Sequence, residues 1–206
     1  MTMTSARSLT MAFAAALGLC WALGAAPAAA AGLDLEGFNK VFTCTACHGP
    51  AGNSRSDAMP IIAGIDANYF SKQIANYAAG RRLSPEMEPY AKYVVNVGVD
   101  EAAAYFARQK RERTPIKVDA AAVTRGQVAS APCVVCHGPM GRGDVTRLIP
   151  SLGGQPPAYL REQMLLFKRN QRSPGDEALR AMKALMATIS DETFGDLAAY
   201  YSSLQP

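Results

Sequence analysis

Four of the five cysteines of this 206-residue chain, and both of its histidines, fall in two short clusters. Cys44-Thr45-Ala46-Cys47-His48 and Cys133-Val134-Val135-Cys136-His137 each read C-x-x-C-H. On a helical turn, two thiols at this spacing reach the two vinyl groups of one porphyrin. The adjacent imidazole then points at the iron, which makes each cluster a c-type haem attachment site. Two other chemistries use the same residue types. A structural zinc site needs both pairs to converge on one metal. A thioredoxin-like pair needs a βαβ context, and the chain shows no convincing strand alternation. With no histidine outside the clusters, a Ser-His-Asp or Cys-His mechanism would have to take its base from them.

A haem iron held by one histidine has a sixth position to fill. Beyond the N-terminal segment the methionines are Met59, Met87, Met140, Met164, Met182 and Met186. If both sites ligate alike, the ligand recurs at matched positions. Only Met87 and Met182 do so, each 18 residues before the Tyr of an Ala-Ala-Tyr run. Methionine is otherwise a common core filler. Met186 is the fallback in the second site, where the first has Tyr90.

The elements that position these residues repeat. Gly37 and Gly126 each lie seven residues before the first cysteine of a cluster. Met59–Gly64 (MPIIAG) matches Ile149–Gly154 (IPSLGG), and Tyr69, Gln73 and Arg82 match Tyr159, Gln163 and Arg172. Residues 103–106 (AAYF) match 198–201 (AAYY). This is a tandem duplication. The join falls near the charged stretch 111–120, and we set the units at 32–113 and 114–206. Each unit reads as mostly helical. Residues 34–46 form an amphipathic segment running into the first cluster. Residues 67–79 and 157–168 show helical spacing, and 100–109 and 191–204 close the units, with Asp100 and Ser190 as N-caps. Units this small bury little apolar surface alone, so a large apolar cofactor or a staple is expected.

Residues 1–31 differ from the rest. Arg7 is their only charge, an apolar run spans Leu9 to about Leu23, and small residues follow. That order is a secretory signal peptide, with an uncleaved anchor as the competing reading. Leu19 before Cys20 argues against a lipoprotein anchor. The chain is 49% hydrophobic and 18% charged, with net charge +4. The apolar share argues against intrinsic disorder. The charges are interspersed, which argues against nucleic-acid binding. Arg82 and Arg172 recur at matched sites and can pair with haem propionates or serve as solvated surface charges. Lys168, Arg169 and Arg172, near Arg161, make a basic patch that either docks an acidic partner or is a solvated face.

Together these residues resemble the di-haem cytochromes c4, across nearly the whole chain after residue 31. The resemblance is carried by Gly37…CTACHG…MPIIAG…YFSKQ…Met87…AAYF and by Gly126…CVVCHG…IPSLGG…YLREQ…Met182…AAYY. It implies an all-α fold of two tandem class I cytochrome c domains. Each is a few helices wrapped around one covalently bound haem c, two haems in all. It implies thioether bonds from Cys44, Cys47, Cys133 and Cys136, and axial ligation by His48 with Met87 and by His137 with Met182. It also implies that the Pro60 and Pro150 carbonyls accept from the histidine Nδ1–H groups. Gly37 and Gly126 would let the first helix of each unit cross the last, against Tyr105 and Tyr200. One departure is that Val94-Val95-Asn96 stands where the second unit has Ile189-Ser190-Asp191 before the last helix.

The implied function is single-electron transfer in the periplasm, from a quinol-oxidising bc1-type complex to a terminal oxidase. The partners are then redox proteins, and the carrier is soluble or peripherally membrane-associated. A first alternative is the electron-accepting subunit of a dehydrogenase, such as a flavocytochrome c sulfide dehydrogenase. A second is a di-haem enzyme, a peroxidase or a thiosulfate-oxidising cytochrome, which would need an open or unusually ligated iron.

Overall fold

The computed structural model describes residues 37–206. The expected signal peptide at 1–31 lies outside the described residues. In the first half, α1 (Phe38–His48), α2 (Ala67–Ala78), α3 (Met87–Val97) and α4 (Val99–Ala107) follow one another. The second half has α5 (Ala120–Ala129), α6 (Val134–His137), α7 (Pro157–Lys168), α8 (Arg180–Thr188) and α9 (Asp191–Ser203). Among the described residues only isolated bridges, and no strands, join these helices.

The two cysteine clusters sit on differently built helices. In the first half α1 begins after Gly37, whose φ of 88° is a left-handed value that favours glycine. It then runs unbroken through Cys44, Cys47 and His48. In the second half Pro132 interrupts the corresponding helix, because proline has no N–H and its ring clashes with the preceding turn. So α5 ends at Ala129, residues Ala131–Cys133 make one 3₁₀ turn, and α6 restarts with the second cluster.

Of the two caps expected from the sequence, one forms. Asp66 caps α2 by accepting from the Tyr69 amide at 2.8 Å, and Asp119 caps α5 by accepting from Ala122 at 2.8 Å. Ser190 caps α9 as expected, accepting from Thr193 at 3.1 Å. Asp100 does not cap α4. Gly98, at φ 137°, is the only residue between α3 and α4, so α4 restarts at Val99 and Asp100 lies in its first turn. There its charge still complements the helix N-terminus.

The core is divided between two apolar clusters. One draws only on residues 38–106 and centres on Val41, Phe70, Tyr105 and Phe106. The other draws only on residues 129–204 and centres on Leu160, Phe194, Leu197 and Tyr201. In each half the first helix packs against the last, α1 on α4 and α5 on α9. Gly37 and Gly126 stand at these contacts. A Cβ on Gly37 would lie 3.0 Å from the Glu101 carbonyl oxygen, and one on Gly126 only 2.0 Å from that of Asp196. Tyr105 and Tyr200 flank the two glycines, as expected.

The halves meet along a local two-fold relation. The backbones of Arg82 and Arg172, matched positions of the repeat, form an antiparallel bridge. The relation is not complete. Where α2 has its own Asp66 cap, α7 is preceded by Pro156, which offers no side-chain acceptor. Asp57 of the first half supplies the cap instead. Its Oδ1 accepts from the Ala158 amide at 2.9 Å and its backbone oxygen from Tyr159 at 3.1 Å.

Candidate functional site

Each cluster ends in a histidine whose ring is tied from behind. The His48 Nδ1–H donates to the Pro60 carbonyl at 2.8 Å, and His137 Nδ1–H to the Pro150 carbonyl at 3.0 Å. With Nδ1 engaged as donor, Nε2 carries the lone pair that can bind a metal. Burial holds both imidazoles below the usual histidine range, against the opposing pull of the proline carbonyls. Both rings are therefore neutral near pH 7, which is the ligating form. His48 is 5% exposed.

The four thiols are free, and none pairs in a disulfide. In each cluster the first cysteine turns inward and the second outward: Cys44 and Cys133 are at least half-buried, and Cys47 and Cys136 are exposed. Burial pushes the Cys44 and Cys133 thiols up. The two clusters do not converge. Among the described residues no three Cys, His, Asp or Glu side chains come together as a metal-binding group, so the geometry offers no shared zinc site.

In each half a methionine singled out by the repeat packs on the core cluster that holds the first cysteine of that half's C-x-x-C-H motif. Met87 opens α3, its amide donating to the Ser84 hydroxyl at 3.2 Å, and its side chain packs on the same core cluster as Cys44. Met182, on α8, packs on the cluster that contains Cys133. Met186 lies one turn on from Met182 and is itself part of that core. In the register that matches Met87 with Met182, the residue matching Met186 is Ala91, which is buried; Tyr90 beside it is exposed and is not the match.

Arg82 and Arg172 are not solvated surface charges. They are 4% and 6% exposed and sit where the halves meet. Arg82 donates to Gln73 Oε1 (2.9 Å), the Tyr159 hydroxyl (2.9 Å) and Gln163 Oε1 (2.8 Å). Arg172 repeats the pattern, donating to Gln163 Oε1 (2.6 Å), the Tyr69 hydroxyl (2.9 Å) and Gln73 Oε1 (3.4 Å). Each guanidinium also stacks over an aromatic ring, Arg82 over Tyr77 at 4.5 Å and Arg172 over Phe167 at 4.4 Å. Burial alone would push the Tyr159 hydroxyl up, but Arg82 and Arg172 outweigh it and hold it below the ordinary phenol value.

Neither arginine pairs with a carboxylate among the described residues. The Arg82 Nε–H is buried without a partner. Two buried cations with no counter-charge are costly, and an anionic group seated between the halves would relieve them. A haem, with two thioether-forming vinyls, an iron and carboxylate side arms, fits this donor set in each half. The basic patch, by contrast, is reduced by folding, with Arg161 and Arg169 left exposed. Arg172 is buried, Lys168 is held by the Ile189 carbonyl (2.7 Å) and Asp191 (2.8 Å), and Arg169 lies 4.0 Å from Asp191.

The cysteines, histidines, methionines and arginines described above are all candidates from the sequence. The repeat matched Tyr69 and Gln73 with Tyr159 and Gln163 but gave them no role. Their recurrence beside a recurring arginine was the available signal. No helix among the described residues is long and apolar enough to cross a membrane.

A family profile described as "Cytochrome c" matches residues 123–205. Cytochrome c4 of Pseudomonas aeruginosa is 30% identical over 182 residues, covering 85% of this chain and 90% of that protein. A thiosulfate dehydrogenase electron acceptor of Stutzerimonas stutzeri is 31% identical over 174 residues, 79% of each chain. The crystal structure of reduced recombinant cytochrome c4 from Pseudomonas stutzeri superposes with a TM-score of 0.73 at 29% identity, covering 82% of this chain and 97% of that one.

Proposed function

Because this chain belongs to the cytochrome c4 family, we propose that it relays single electrons between a quinol-oxidising complex and a terminal oxidase. It is a di-haem electron-transfer cytochrome built from two tandem class I cytochrome c domains, and its cofactors are two covalently bound haem c groups. The domain limits we assign are 32–113 and 114–206, with the export signal before them and the periplasm as the working compartment. Haem, when bound, gains and loses one electron at its iron.

The residues have these roles in the proposal. Cys44 and Cys47 hold one haem through thioethers, and Cys133 and Cys136 hold the other. His48 and Met87 would hold the first iron, and His137 and Met182 the second. A thioether ligand opposite imidazole favours the ferrous state and raises the potential. With a histidine and a methionine on each iron, neither would have room for a substrate, which favours a carrier over an enzyme. Pro60 and Pro150 fix the imidazole planes and raise their basicity. Arg82 and Arg172 neutralise haem propionates in the interface, consistent with their burial, the unpartnered Arg82 Nε–H and the lack of any protein carboxylate beside them.

The observation that carries this reading is the repeated pair His48–Pro60 and His137–Pro150, each closing a C-x-x-C-H motif. Two neutral, oriented imidazoles are what two electron-transfer haems require. The ligand assignment is tested by Met87→Ala and Met182→Ala in haem-loaded protein. Each is expected to remove half of the weak red charge-transfer band of ferric iron bound to Met sulfur. Each is also expected to open one haem to CO. An unchanged band in Met182→Ala would transfer the role to Met186.

A second reading is that the electron donor is a dehydrogenase. A relative sharing 31% identity is named a thiosulfate dehydrogenase electron acceptor, and nothing in the donor set separates the two roles. Purification of the chain in a stable stoichiometric complex with a dehydrogenase would favour this reading over a free carrier.

A further inference from the structure

The carbonyl that orients His48 belongs to a peptide group that the second half also grips. The Pro60–Ile61 peptide accepts the His48 Nδ1–H at its oxygen (2.8 Å) and donates its N–H to Gln155 Oε1 at 2.9 Å. Gln155 Nε2 in turn donates to the Ile61 carbonyl at 2.7 Å. Gln155 is 7% exposed and Ile61 1% exposed, so water does not compete for these bonds. Asp57, four residues upstream of Ile61, is tied to the start of α7. Residues 57–61 are therefore held at both ends by the second half.

We propose that Gln155 is a positioning residue for the first haem's proximal histidine, acting across the domain interface through the Pro60–Ile61 peptide. The inference rests on the proposed ligation of iron by His48. An acceptor at the peptide N–H polarises the peptide and makes its carbonyl a stronger acceptor, since hydrogen bonds in a chain strengthen one another. A stronger acceptor behind Nδ1–H makes the imidazole a better donor to iron. That stabilises the ferric state and lowers the first haem's potential.

The device exists on one side only. The repeat position matching Gln155 is Ile65, which has no polar atom to offer the second half. Gln155 thus separates two sites whose histidine–proline bonds are otherwise alike, and it does so only while the domains are docked.

The test is Gln155→Met, of similar length but without the hydrogen bonds, measured by redox titration of the di-haem protein. Each couple is assigned from the upfield methyl resonances of Met87 and Met182 in the ferrous state. At a fixed ambient potential the first haem's ferrous-to-ferric ratio is expected to rise about threefold, which is about 28 mV for a one-electron couple. The second haem's couple is expected to stay put. Gln155→Glu, titrated at a pH where the buried carboxyl is protonated, offers the same acceptor and donor. It is expected to return the first couple to its wild-type value.

Equal movement of both couples, or of neither, in protein carrying two haems would overturn the proposal. If Q155M does not assemble, the wild-type protein still tests it: an Ile61 amide exchanging as fast as an exposed one would overturn it too. Failure of the underlying ligation is separately visible, as an unaltered low-spin spectrum of the first haem in His48→Ala.

Discussion

Chains with Cys133→Ala and Cys136→Ala together are expected to mature with one covalent haem in place of two. The haem absorbance per chain after denaturation should fall by half, because each C-x-x-C-H cluster serves only its own half. Cys133 is part of the second core cluster, whereas Cys44 packs on the first, and no residue belongs to both clusters. The remaining haem is expected to keep its methionine band, since Met87 and His48 are untouched. The second half should also lose helix signal by circular dichroism. Its cluster-bearing helix is already broken at Pro132, and α6 is only four residues long, too short to persist alone. The mirror variant, Cys44→Ala with Cys47→Ala, is expected to lose the other haem and less helix, because α1 is continuous. Two haems or none in the Cys133/Cys136 variant would contradict independent loading.

Gly126→Ala is expected to destabilise the second domain far more than a methyl group usually does. The added Cβ would lie 2.0 Å from the Asp196 carbonyl oxygen, 2.5 Å from its carbon and 2.8 Å from the Tyr200 Cβ. Two of these three atoms are backbone, so no side-chain rotation relieves the clash. The helices α5 and α9 must move apart, and with them Phe194, Leu197 and Tyr201 on the buried face of α9. Overpacking of this kind costs on the order of 3 kcal/mol, or about 10 °C in Tm for a protein of this size. Alanine at Gly37 meets the Glu101 oxygen at 3.0 Å, so its cost comes mainly from the left-handed φ of 88°, about 1–2 kcal/mol. Thermal unfolding of the haem-loaded variants checks both. A Gly126→Ala Tm equal to the wild type would mean that α5 and α9 are not in backbone contact.

The candidate site residues are legible in the sequence because their signals are local. C-x-x-C-H is a five-residue pattern, and its recurrence fixed the repeat that singled out Met87, Met182, Arg82 and Arg172. Helices α2, α7 and α9 are also legible from their apolar spacing. Helices α3, α5 and α8 were not named in advance. Pro89 within α3 reads as a breaker, yet it stands in the first turn, where its missing N–H costs nothing. In α5, Gly126 stands at the crossing with the last helix, as the resemblance implies, against Asp196 and Tyr200, but nothing around it marks where the helix begins or ends. The cap of α4 was misassigned because nothing in Val99-Asp100-Glu101 announces that Gly98 alone separates two helices.

What the sequence withheld is the interface. Arg82 looks like any surface arginine until Gln73, Tyr159 and Gln163 are brought around it from both halves. The cap that Asp57 gives to α7 and the grip of Gln155 on Ile61 span 101 and 94 residues of chain. No periodicity or short motif encodes contacts at that separation. They exist because the two repeats dock, and the differences between matched positions, Asp66 against Pro156 and Ile65 against Gln155, acquire meaning only then.

The central claim is two covalent haems, each with both axial positions filled by protein. It is tested most directly by absorption spectroscopy on protein matured in a host that attaches c-type haem. Haem per chain is quantified, the red methionine-to-iron band is measured in the ferric state, and the ferrous protein is exposed to CO. The expected result is two haems per chain, a band intensity accounting for both, and no change under CO. A haem that binds CO would contradict the claim for its domain and turn that half toward catalysis. A chain with no covalent haem would contradict it altogether.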